Sequence, residues 1–564
     1  MWLDKSVSGR TATLLEAGMI LVFSLIPLFF TFPYRINIFL SFEGAYRLYL
    51  GQVPYEDFGL PLGYAYWLVP SVFFRLFGPS MYTLIIAQSF LNIVTGFSFR
   101  SLMKSFRVAP PQRLLALFIF CLSYLFINFW PWYNNSVFIY QLIGLAFMAY
   151  GLLGASGWKK PAALVAAGAF TFLSLFTKQD GGGLATVLAG TVLLYHLIVF
   201  RDWKSMLLFI AGYAGLALLM IVPFLDDGFL YWFNYGQEPH NSRINSWDFL
   251  QVIFMESQWI KFYLLAIMLF SLFKIRESAA FLKDKVWITF TLVVLGILVQ
   301  ALLVQVTSYI PHNVNIYFHS FAAAYILSMF LKEQWIIRRW AVAAGAVLIL
   351  FWWSADYWLY AQRVLRKVLP EQEEQAEQKI NRNTWMAAAE DTVKRDRSGW
   401  KVAEYDAFRG VLMPGETVEG IAAILELPVV KAKGKNTRVL NMSELTPLAE
   451  VIGYTPETNR PMWYHKNVSI FQEQIDTYCQ DIRDGKYDVV LFEFIPYLNN
   501  FYPNDIRACL KEHYRYERKF LAPRTIQNTY IEVYTAPGSS QAGTPADSGN
   551  TAVSQTSHSP SSRQ

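Results

Sequence analysis

The chain has 564 residues, of which 54% are hydrophobic and 17% aromatic, and its mean hydropathy is +0.28. This composition is too apolar for a soluble protein of this length, so we expect membrane lipid to surround most of the chain. The net charge of +6 does not indicate a nucleic-acid partner, because the Lys and Arg residues cluster in short loops between apolar runs.

Apolar runs long enough to cross about 30 Å of hydrocarbon recur along the first part of the chain. They predict a polytopic α-helical membrane protein with about eleven transmembrane helices, and they define a membrane domain over residues 1–360. The predicted spans lie near residues 13–32, 81–99, 113–130, 136–156, 161–177, 183–200, 204–224, 257–273, 286–309, 317–331 and 336–358. The first run lacks a small-residue cleavage site, so we interpret it as a retained span and signal anchor.

The segment Leu62–Phe77 is apolar but short, and it carries Pro70 and Arg75. If this segment does not cross the membrane, most loop Lys and Arg residues fall on the cytoplasmic side, where such residues are usually enriched. We therefore interpret it as a juxtamembrane or re-entrant helix. With the amino terminus inside, residues 33–79 and the carboxy-terminal region then lie on the outer face.

The predicted outer segments combine polar side chains with aromatic rings, as in Trp130–Asn135 and Asn234–His240. Proteins hold sugar rings and amphipathic head groups with such combinations. An ordinary aromatic belt at the membrane interface produces the same pattern, and both interpretations stay open.

Carboxylates lie directly after the first predicted span. Ser41–Arg47 contains Glu43 and Arg47, and Gly51–Phe58 contains Asp57. Glu43 and Arg47 are four residues apart, so they share a face and can form an ion pair if the segment is helical. Acids in this position suggest chemistry at a membrane surface.

The water-soluble end begins with a predicted helical linker region over residues 361–435. Alternating short apolar strands and helices predict a small α/β extracytoplasmic domain over residues 436–536. Cys479 and Cys509 can pair there, although nothing in the sequence requires it. Residues 537–564 have almost no apolar content, which predicts a disordered tail. We expect the domain to cap the membrane cavity or to present an acceptor.

In this chain, one span is followed by an acidic outer loop with the pattern Gly-x-x-Pro-Tyr-x-Asp-Phe. An apolar half-helix that ends in Leu76-Phe77-Gly78 comes next. Together with the later Phe176-Thr177-Lys178-Gln179, this order resembles the membrane glycosyltransferases of the GT-C superfamily. The resemblance is strongest over residues 33–79, toward bacterial relatives of the protein O-mannosyltransferases and the lipid A aminoarabinose transferases.

The resemblance implies transfer of a sugar from a polyprenyl-phosphate donor to a glycan, lipid or protein acceptor, with inversion, at the outer face of the plasma (inner) membrane. It also implies a general base in the first outer loop. The Asp-Glu pair of the family falls on Phe42 and Glu43 in this sequence, so the first acid is missing. Glu43 or Asp57 then takes the catalytic role, or the protein is inactive.

The resemblance leads us to expect that Lys178 replaces a phosphate-binding Lys that this chain lacks before Pro61, although a Lys at a helix end also extends toward the interface for purely structural reasons. No cofactor is required by the sequence, and a divalent cation stays open. The residues that we expect to bind substrate are Arg47, Tyr55, Asn134, Asn135, Lys178, Gln179, Asp180, His240 and Arg243.

Two other functions stay open at this point. A transporter or flippase for lipid-linked glycans would need ionisable residues near the bilayer midplane, whereas the predicted acids gather at the outer boundary. A non-catalytic binder of lipid-linked glycans is compatible with the loss of the first Asp.

Overall fold

A computed structural model describes residues 9–34, 38–125, 128–233, 258–277, 279–308, 317–330, 338–352, 399–466, 469–495, 502–523 and 529–537. His240 and Arg243, most of the predicted linker and nearly all of the predicted tail lie outside these residues.

The amino-terminal part is a helical assembly. Its helices are α1 (Gly9–Leu25), α2 (Ile38–Tyr49), α3 (Ala65–Phe77), α4 (Met81–Ser105), α5 (Pro110–Phe120), α6 (Tyr133–Leu153), α7 (Lys159–Leu175), α8 (Gln179–Phe200), α9 (Trp203–Ile221), α10 (Phe229–Trp232), α11 (Gln258–Glu277), α12 (Lys285–Ser308), α13 (Phe318–Phe330) and α14 (Arg339–Trp352). Every predicted span overlaps one of them.

Within the described part of the chain, six helices are long and apolar enough to cross a membrane. They are α4, α6, α8, the span Gly9–Phe29 that extends α1, the span Trp203–Phe224 that extends α9, and the Lys285–Val304 part of α12. Four shorter apolar helices accompany them, α3 among them. The protein is therefore a helical membrane protein, and the number of eleven crossings stays a prediction.

Small residues bring α7 and α9 close together. A Cβ atom added to Gly168 would lie 2.0 Å from the carbonyl oxygen of Phe209, and one added to Gly212 would lie 2.0 Å from that of Val165. Between lipid-embedded helices, close packing of this kind replaces the hydrophobic effect as the source of attraction.

A buried ion cluster connects α1, α4 and α5. The carboxylate of Glu16 has no exposed surface, and it accepts from Nε of Arg100 at 2.6 Å and from Nε of Arg113 at 2.7 Å. Removing one member of such a cluster leaves an uncompensated buried charge, so the cluster fixes how these three helices meet.

The carboxy-terminal part is an α/β domain. Its four-stranded sheet has the order β5-β7-β9-β8, formed by β5 (Val439–Met442), β7 (Val489–Phe494), β8 (Arg515–Leu521) and β9 (Tyr530–Thr535). The pair β5/β7 is parallel and the other two pairs are antiparallel. Its helices include α17 (Leu448–Ile452), α18 (Gln472–Arg483) and α19 (Asn504–His513). The predicted strands and helices of this domain are confirmed, with ends that differ by a few residues.

The predicted helical linker needs a correction in its described part, residues 399–435. Besides the helices α15 (Gly415–Leu425) and α16 (Pro428–Lys433), it contains the strands β3 (Trp400–Val402) and β4 (Val411–Pro414). The prediction missed these strands because they are short and depend on pairing, β3 with β4 and β4 with Phe32–Pro33 at the other end of the chain.

The predicted first outer loop is joined to the carboxy-terminal part by backbone pairing. Strand β1 (Phe32–Pro33) lies parallel to β4, and β2 (Phe58–Gly59) lies parallel to β6 (Arg460–Pro461). In addition, the hydroxyl group of Tyr34 donates to the carbonyl oxygen of Glu444. The loop that carries Glu43 and the soluble part of the chain therefore form one packed unit.

Cys479 in α18 and Cys509 in α19 form a disulfide bond. The sequence left this pairing open. The bond ties together two helices that pack on the same side of the four-stranded sheet, where their apolar residues share one core cluster.

Candidate functional site

Glu43 and Arg47 lie one turn apart on α2, as their spacing predicts. Nη2 and Nε of Arg47 donate to Oε1 of Glu43 at 2.8 and 3.0 Å. Both side chains are largely buried, with 12% of Glu43 and 5% of Arg47 exposed. Among the described residues, no hydrogen bond engages Oε2 of Glu43, so this oxygen is the one that can accept a proton.

Arg47 also connects this pair to the soluble part of the chain. Its Nη1 donates to Oε1 of Gln52 at 3.0 Å and to the carbonyl oxygen of Glu457 at 2.9 Å. Gln52 in turn donates to the carbonyl oxygen of Pro456 at 2.8 Å. The guanidinium group therefore has a fixed position, and it fixes the Glu43 carboxylate with it.

Burial raises the pKa of Glu43 above that of an ordinary glutamate, and the charge and hydrogen bonds of Arg47 oppose that rise. The raised pKa makes the carboxylate a stronger base than an exposed glutamate, while Arg47 favours the ionised form that a base requires.

Phe42 occupies the position where the resembling family carries its first acid. Its ring is fully buried and lies 5.2 Å from the ring of Phe74 in α3 and 5.7 Å from that of Tyr46. This position is therefore part of the packing between α2 and α3.

Asp57 and Tyr55 belong to the framework of the outer loop. Oδ2 of Asp57 accepts from the backbone amide of Val53 at 2.7 Å, and its carbonyl oxygen accepts from the amide of Asn459 at 2.6 Å. Tyr55 has a φ angle of 71° and donates its hydroxyl proton to the carbonyl oxygen of Leu62 at 2.7 Å. These contacts hold the loop in shape, and the catalytic or substrate-binding roles of both residues stay predictions.

A second group of the predicted residues lies at the start of α8. Nζ of Lys178 is 2.9 Å from Oδ2 of Asp180 and 5.6 Å from the ring centre of Tyr133. Gln179 donates to the carbonyl oxygen of Pro61 at 2.8 Å, which joins this helix end to the first outer loop.

Asn134 and Asn135 begin α6, next to that group. Asn135 donates to the side chain of Asn128 at 2.5 Å. The buried Oδ1 of Asn134 has no hydrogen-bond partner among the described residues. An amide with a spare acceptor suits a hydroxyl-bearing ligand, as the sequence predicts, although no contact in the structure tests that role.

A cavity opens between α2 and the soluble part of the chain. Glu43 and Arg47 form one wall, and the opposite wall includes Asn441, Thr446, Tyr454, Glu457, Arg460, Tyr464 and Tyr478. The sequence predicts a cavity between the first loop and the soluble domain, but none of these wall residues. The only signal for them in the sequence was the high frequency of tyrosines and charged residues around residues 454–464.

In the described part of the chain, no group of three His, Cys, Asp or Glu side chains could hold a metal ion. The long outer loop that contains His240 and Arg243 lies outside that part. The question of whether the protein binds a divalent cation therefore stays open.

These features define a class of protein: a helical membrane protein whose first outer loop and carboxy-terminal α/β domain enclose a carboxylate between them. The fold is similar to that of ArnT. The crystal structure of ArnT from Cupriavidus metallidurans in the apo state matches with a TM-score of 0.51 and 13% identity, over 93% of this chain and 98% of that one.

The structure of the same ArnT bound to undecaprenyl phosphate matches with the same TM-score and coverage at 12% identity. The structure of an oligosaccharyltransferase from Archaeoglobus fulgidus aligns over 91% of this chain and 74% of that one, at 11% identity and a TM-score of 0.40. No family model and no curated protein matches the sequence. At these identities, the likeness establishes the fold.

Proposed function

We propose that this protein is a membrane glycosyltransferase that transfers a sugar from a polyprenyl-phosphate donor to an acceptor hydroxyl group. The observation that carries the proposal is the buried Glu43 carboxylate, which lies after the first span in a chain with the ArnT fold. That ArnT was crystallised with undecaprenyl phosphate supports a donor of this lipid class.

In the proposed reaction, the acceptor oxygen attacks the anomeric carbon from the face opposite the phosphate, so the anomeric centre inverts. The bond between that carbon and the phosphate oxygen breaks, and its electron pair leaves with the polyprenyl phosphate. Oε2 of Glu43 takes the proton of the acceptor hydroxyl group. Phosphate is a good leaving group, so a nearby cation contributes more than an acid would.

Lys178 is our candidate for that cation. It lies at the end of α8 that Gln179 joins to the first outer loop. Lys178 forms an ion pair with Asp180 at 2.9 Å, so the donor phosphate has to displace Asp180 or bind Lys178 together with it. Tyr55, Asn134 and Asn135 are proposed to bind the donor sugar or the acceptor, and a carboxylate such as Asp180 can accept from sugar hydroxyl groups.

We also propose eleven membrane crossings, with a membrane domain over residues 1–360 and an extracytoplasmic domain over residues 436–536. The distribution of loop Lys and Arg residues supports this arrangement. The Cys479–Cys509 disulfide supports it independently, because disulfides persist in oxidising compartments outside the cytoplasm. The location that fits best is a plasma (inner) membrane, with the site on its outer face.

A non-catalytic binder of lipid-linked glycans is the second candidate. It is favoured by Phe42, whose ring lies where the resembling enzymes carry an acid, and by the ion pair that engages Oε1 of Glu43. A transporter gains no comparable support, because the buried ion cluster of Glu16 is a compensated structural contact between three helices.

The test is release of polyprenyl phosphate by the purified protein in lipid discs, from a panel of polyprenyl-phosphate sugars with membrane extract as acceptor. We expect release by the natural sequence and a loss of about 100-fold or more in Glu43→Gln, since general-base catalysis contributes about that much. The matched control is Glu56→Gln, an exposed glutamate of the same loop.

Equal activity of Glu43→Gln and the control would place the base elsewhere, and Asp57→Asn is the next variant to measure. Absence of release with every donor, together with retained binding of a lipid-linked sugar, would support the non-catalytic binder instead.

A further inference from the structure

The two faces of the four-stranded sheet in the carboxy-terminal domain are covered differently. Phe520, Ile531 and Val533 belong to the same core cluster as Tyr34 and Phe58 of the predicted first outer loop, so this face lies toward the membrane domain. The opposite face is covered by α18 and α19. Among the described residues, the core on that side takes side chains from β5, β7 and β9 but none from β8. The two helices therefore leave the β8 end of the face open.

A pocket occupies this open end. Strands β8 and β9 form its floor, and the end of α19 forms one side. Its lining residues are Lys511, Tyr514, Tyr516, Lys519, Glu532 and Tyr534. Water can enter about 280 Å³ of the pocket, close to the lower end of the range of about 300–1,000 Å³ for ligand sites. Lys511, Tyr516 and Lys519 are exposed, so a ligand can reach their side chains.

Two positive charges in the pocket are not paired with a carboxylate among the described residues. Lys511 attracts Glu532 only from beyond ion-pair distance, and Nζ of Lys519 lies 5.0 Å from the ring centre of Tyr530. The charge of Glu532 is compensated by Arg507, which donates to its two carboxylate oxygens at 2.8 and 2.5 Å. The pocket is therefore positive overall, and an anionic ligand can bind both lysines without displacing a carboxylate.

The rings of the pocket indicate which kind of anion fits. Tyr516 is 49% exposed, and its ring lies 5.7 Å from the ring of Tyr534 in an edge-to-face contact that supports it from the floor. An exposed ring of this kind gives flat apolar surface to the face of a sugar. Lysines bind phosphate and carboxylate groups as point charges. A sugar that carries such a group uses both features, whereas an inorganic anion uses only the lysines.

Two other anionic partners fit this place less well. A peptide that adds as a strand needs the free edge of β8, but the Leu521 end of that edge is closed. The amide of Leu521 donates to the side chain of Glu416 at 3.0 Å, and its carbonyl oxygen accepts from the hydroxyl group of Thr417 at 2.6 Å. An anionic lipid of the surrounding membrane is disfavoured because the pocket lies on the face opposite to the membrane domain.

We propose that this pocket binds an anionic carbohydrate, in which Lys511 and Lys519 hold a phosphate or carboxylate group and Tyr516 contacts the sugar ring. The pocket is separate from the cavity beside Glu43. The two lie at opposite edge strands, β8 and β5, which are about 14 Å apart at about 4.8 Å for each strand spacing. The inference goes beyond the proposed function and does not depend on it.

The test is saturation-transfer NMR with the full-length protein in phosphatidylcholine discs. The probes are glucose 6-phosphate and glucuronate, with methyl glucoside as the neutral comparison. We expect millimolar binding of at least one anionic sugar and weaker binding of methyl glucoside. The double variant Lys511→Gln with Lys519→Gln should bind the anionic sugar about fivefold more weakly, because each exposed charge contact contributes about twofold to affinity.

The matched control is the double variant Lys431→Gln with Lys435→Gln. These lysines are exposed, belong to the same part of the chain and lie outside the pocket, so the control changes the net charge equally. It should bind the anionic sugar as the natural sequence does. Tyr516→Ala should weaken binding of the anionic sugar but leave competition by inorganic phosphate unchanged, because phosphate has no ring to contact.

Equal binding by the lysine double variant and its control, or no binding of either anionic sugar, would overturn the site. Unchanged sugar binding in Tyr516→Ala would overturn the carbohydrate and leave a simple anion site. Tighter binding of a glutamate-rich peptide, or loss of sugar binding in discs that contain phosphatidylglycerol, would replace the carbohydrate by a peptide or a lipid. None of these outcomes depends on catalysis, so a failure of this site can be distinguished from a failure to release polyprenyl phosphate.

Discussion

Two neighbouring residues of α2 face different partners. Adjacent residues of a helix point about 100° apart, so Phe42 packs on α3 while Glu43 faces the carboxy-terminal domain. With Phe42 at the position of the first acid of the resembling family, the acid that this chain keeps, Glu43, faces the cavity wall that contains Thr446 and Tyr478.

Arg47 is expected to set the pH range of the reaction. Activity requires ionised Glu43, so it falls as the pH drops through the pKa of this residue. Because Arg47 lowers that pKa, Arg47→Gln should raise it and move the acidic limb of the profile of kcat/KM to higher pH. The measurement is polyprenyl-phosphate release across a pH series with a fixed acceptor.

The control for this change is Arg75→Gln. Arg75 is exposed and donates to the carbonyl oxygen of Leu48, so it lies near α2 without contacting Glu43. The opposite wall contains three buried tyrosines and one ion pair. Tyr454, Tyr464 and Tyr478 stay neutral because burial raises the pKa of each, and Glu457 is paired with Arg460. An acidic limb that is the same in both variants would exclude Glu43 as the titrating base.

At the scale of elements, a glycine lies in the contact between α2 and α3. A Cβ atom added to Gly44 would lie 2.0 Å from the ring of Trp67, which is fully buried and has no room to move aside. The residue next to the proposed base thus sets the distance between α2 and α3.

We expect Gly44→Ala to destabilise the protein by about 1–3 kcal/mol through overpacking and to lower kcat by displacing Glu43. Gly18→Ala in α1 is the control, because its added Cβ atom meets nothing within 4 Å. Thermal unfolding and polyprenyl-phosphate release measure the two effects. Equal stability and activity of the two variants would show that the contact with Trp67 does not position α2.

Elements that depend on local pattern were predictable, and contacts between distant segments were not. The run of apolar residues around 81–99 predicted α4, and the alternation of short strands and helices predicted the α/β domain over residues 436–536. In contrast, the pairing of Phe58 with Arg460 joins distant segments, and it produces no periodic pattern in the sequence around either residue. For the same reason the sequence indicated Glu43 but not Tyr478, which reaches the same cavity from the other end of the chain.

At the scale of the whole molecule, the sidedness of the chain follows from whether α3 crosses the membrane. We expect a membrane-impermeant maleimide to label Glu56→Cys in intact cells, and Lys159→Cys only after permeabilisation. Both residues are exposed, and the native cysteines add little background, because Cys121 is buried and the other two are joined.

Labelling of both introduced cysteines from outside would contradict the juxtamembrane interpretation of α3, since one more crossing before Lys159 reverses its side. Glu419→Cys, at an exposed position of α15, reports the side of the carboxy-terminal domain and should behave as Glu56→Cys does.

The pairing of the first outer loop with the soluble domain also sets an order of events during synthesis. Tyr34 can form its hydrogen bond only after Glu444 has been synthesised, 410 residues further along the chain. At the usual pace of translation, that interval lasts about 20–80 s. During it, the strands and carbonyl groups that hold the loop do not yet exist. A ribosome that stops before residue 399 therefore releases a product with Glu43 but without the opposite wall of its cavity, so an unfinished chain has no complete site.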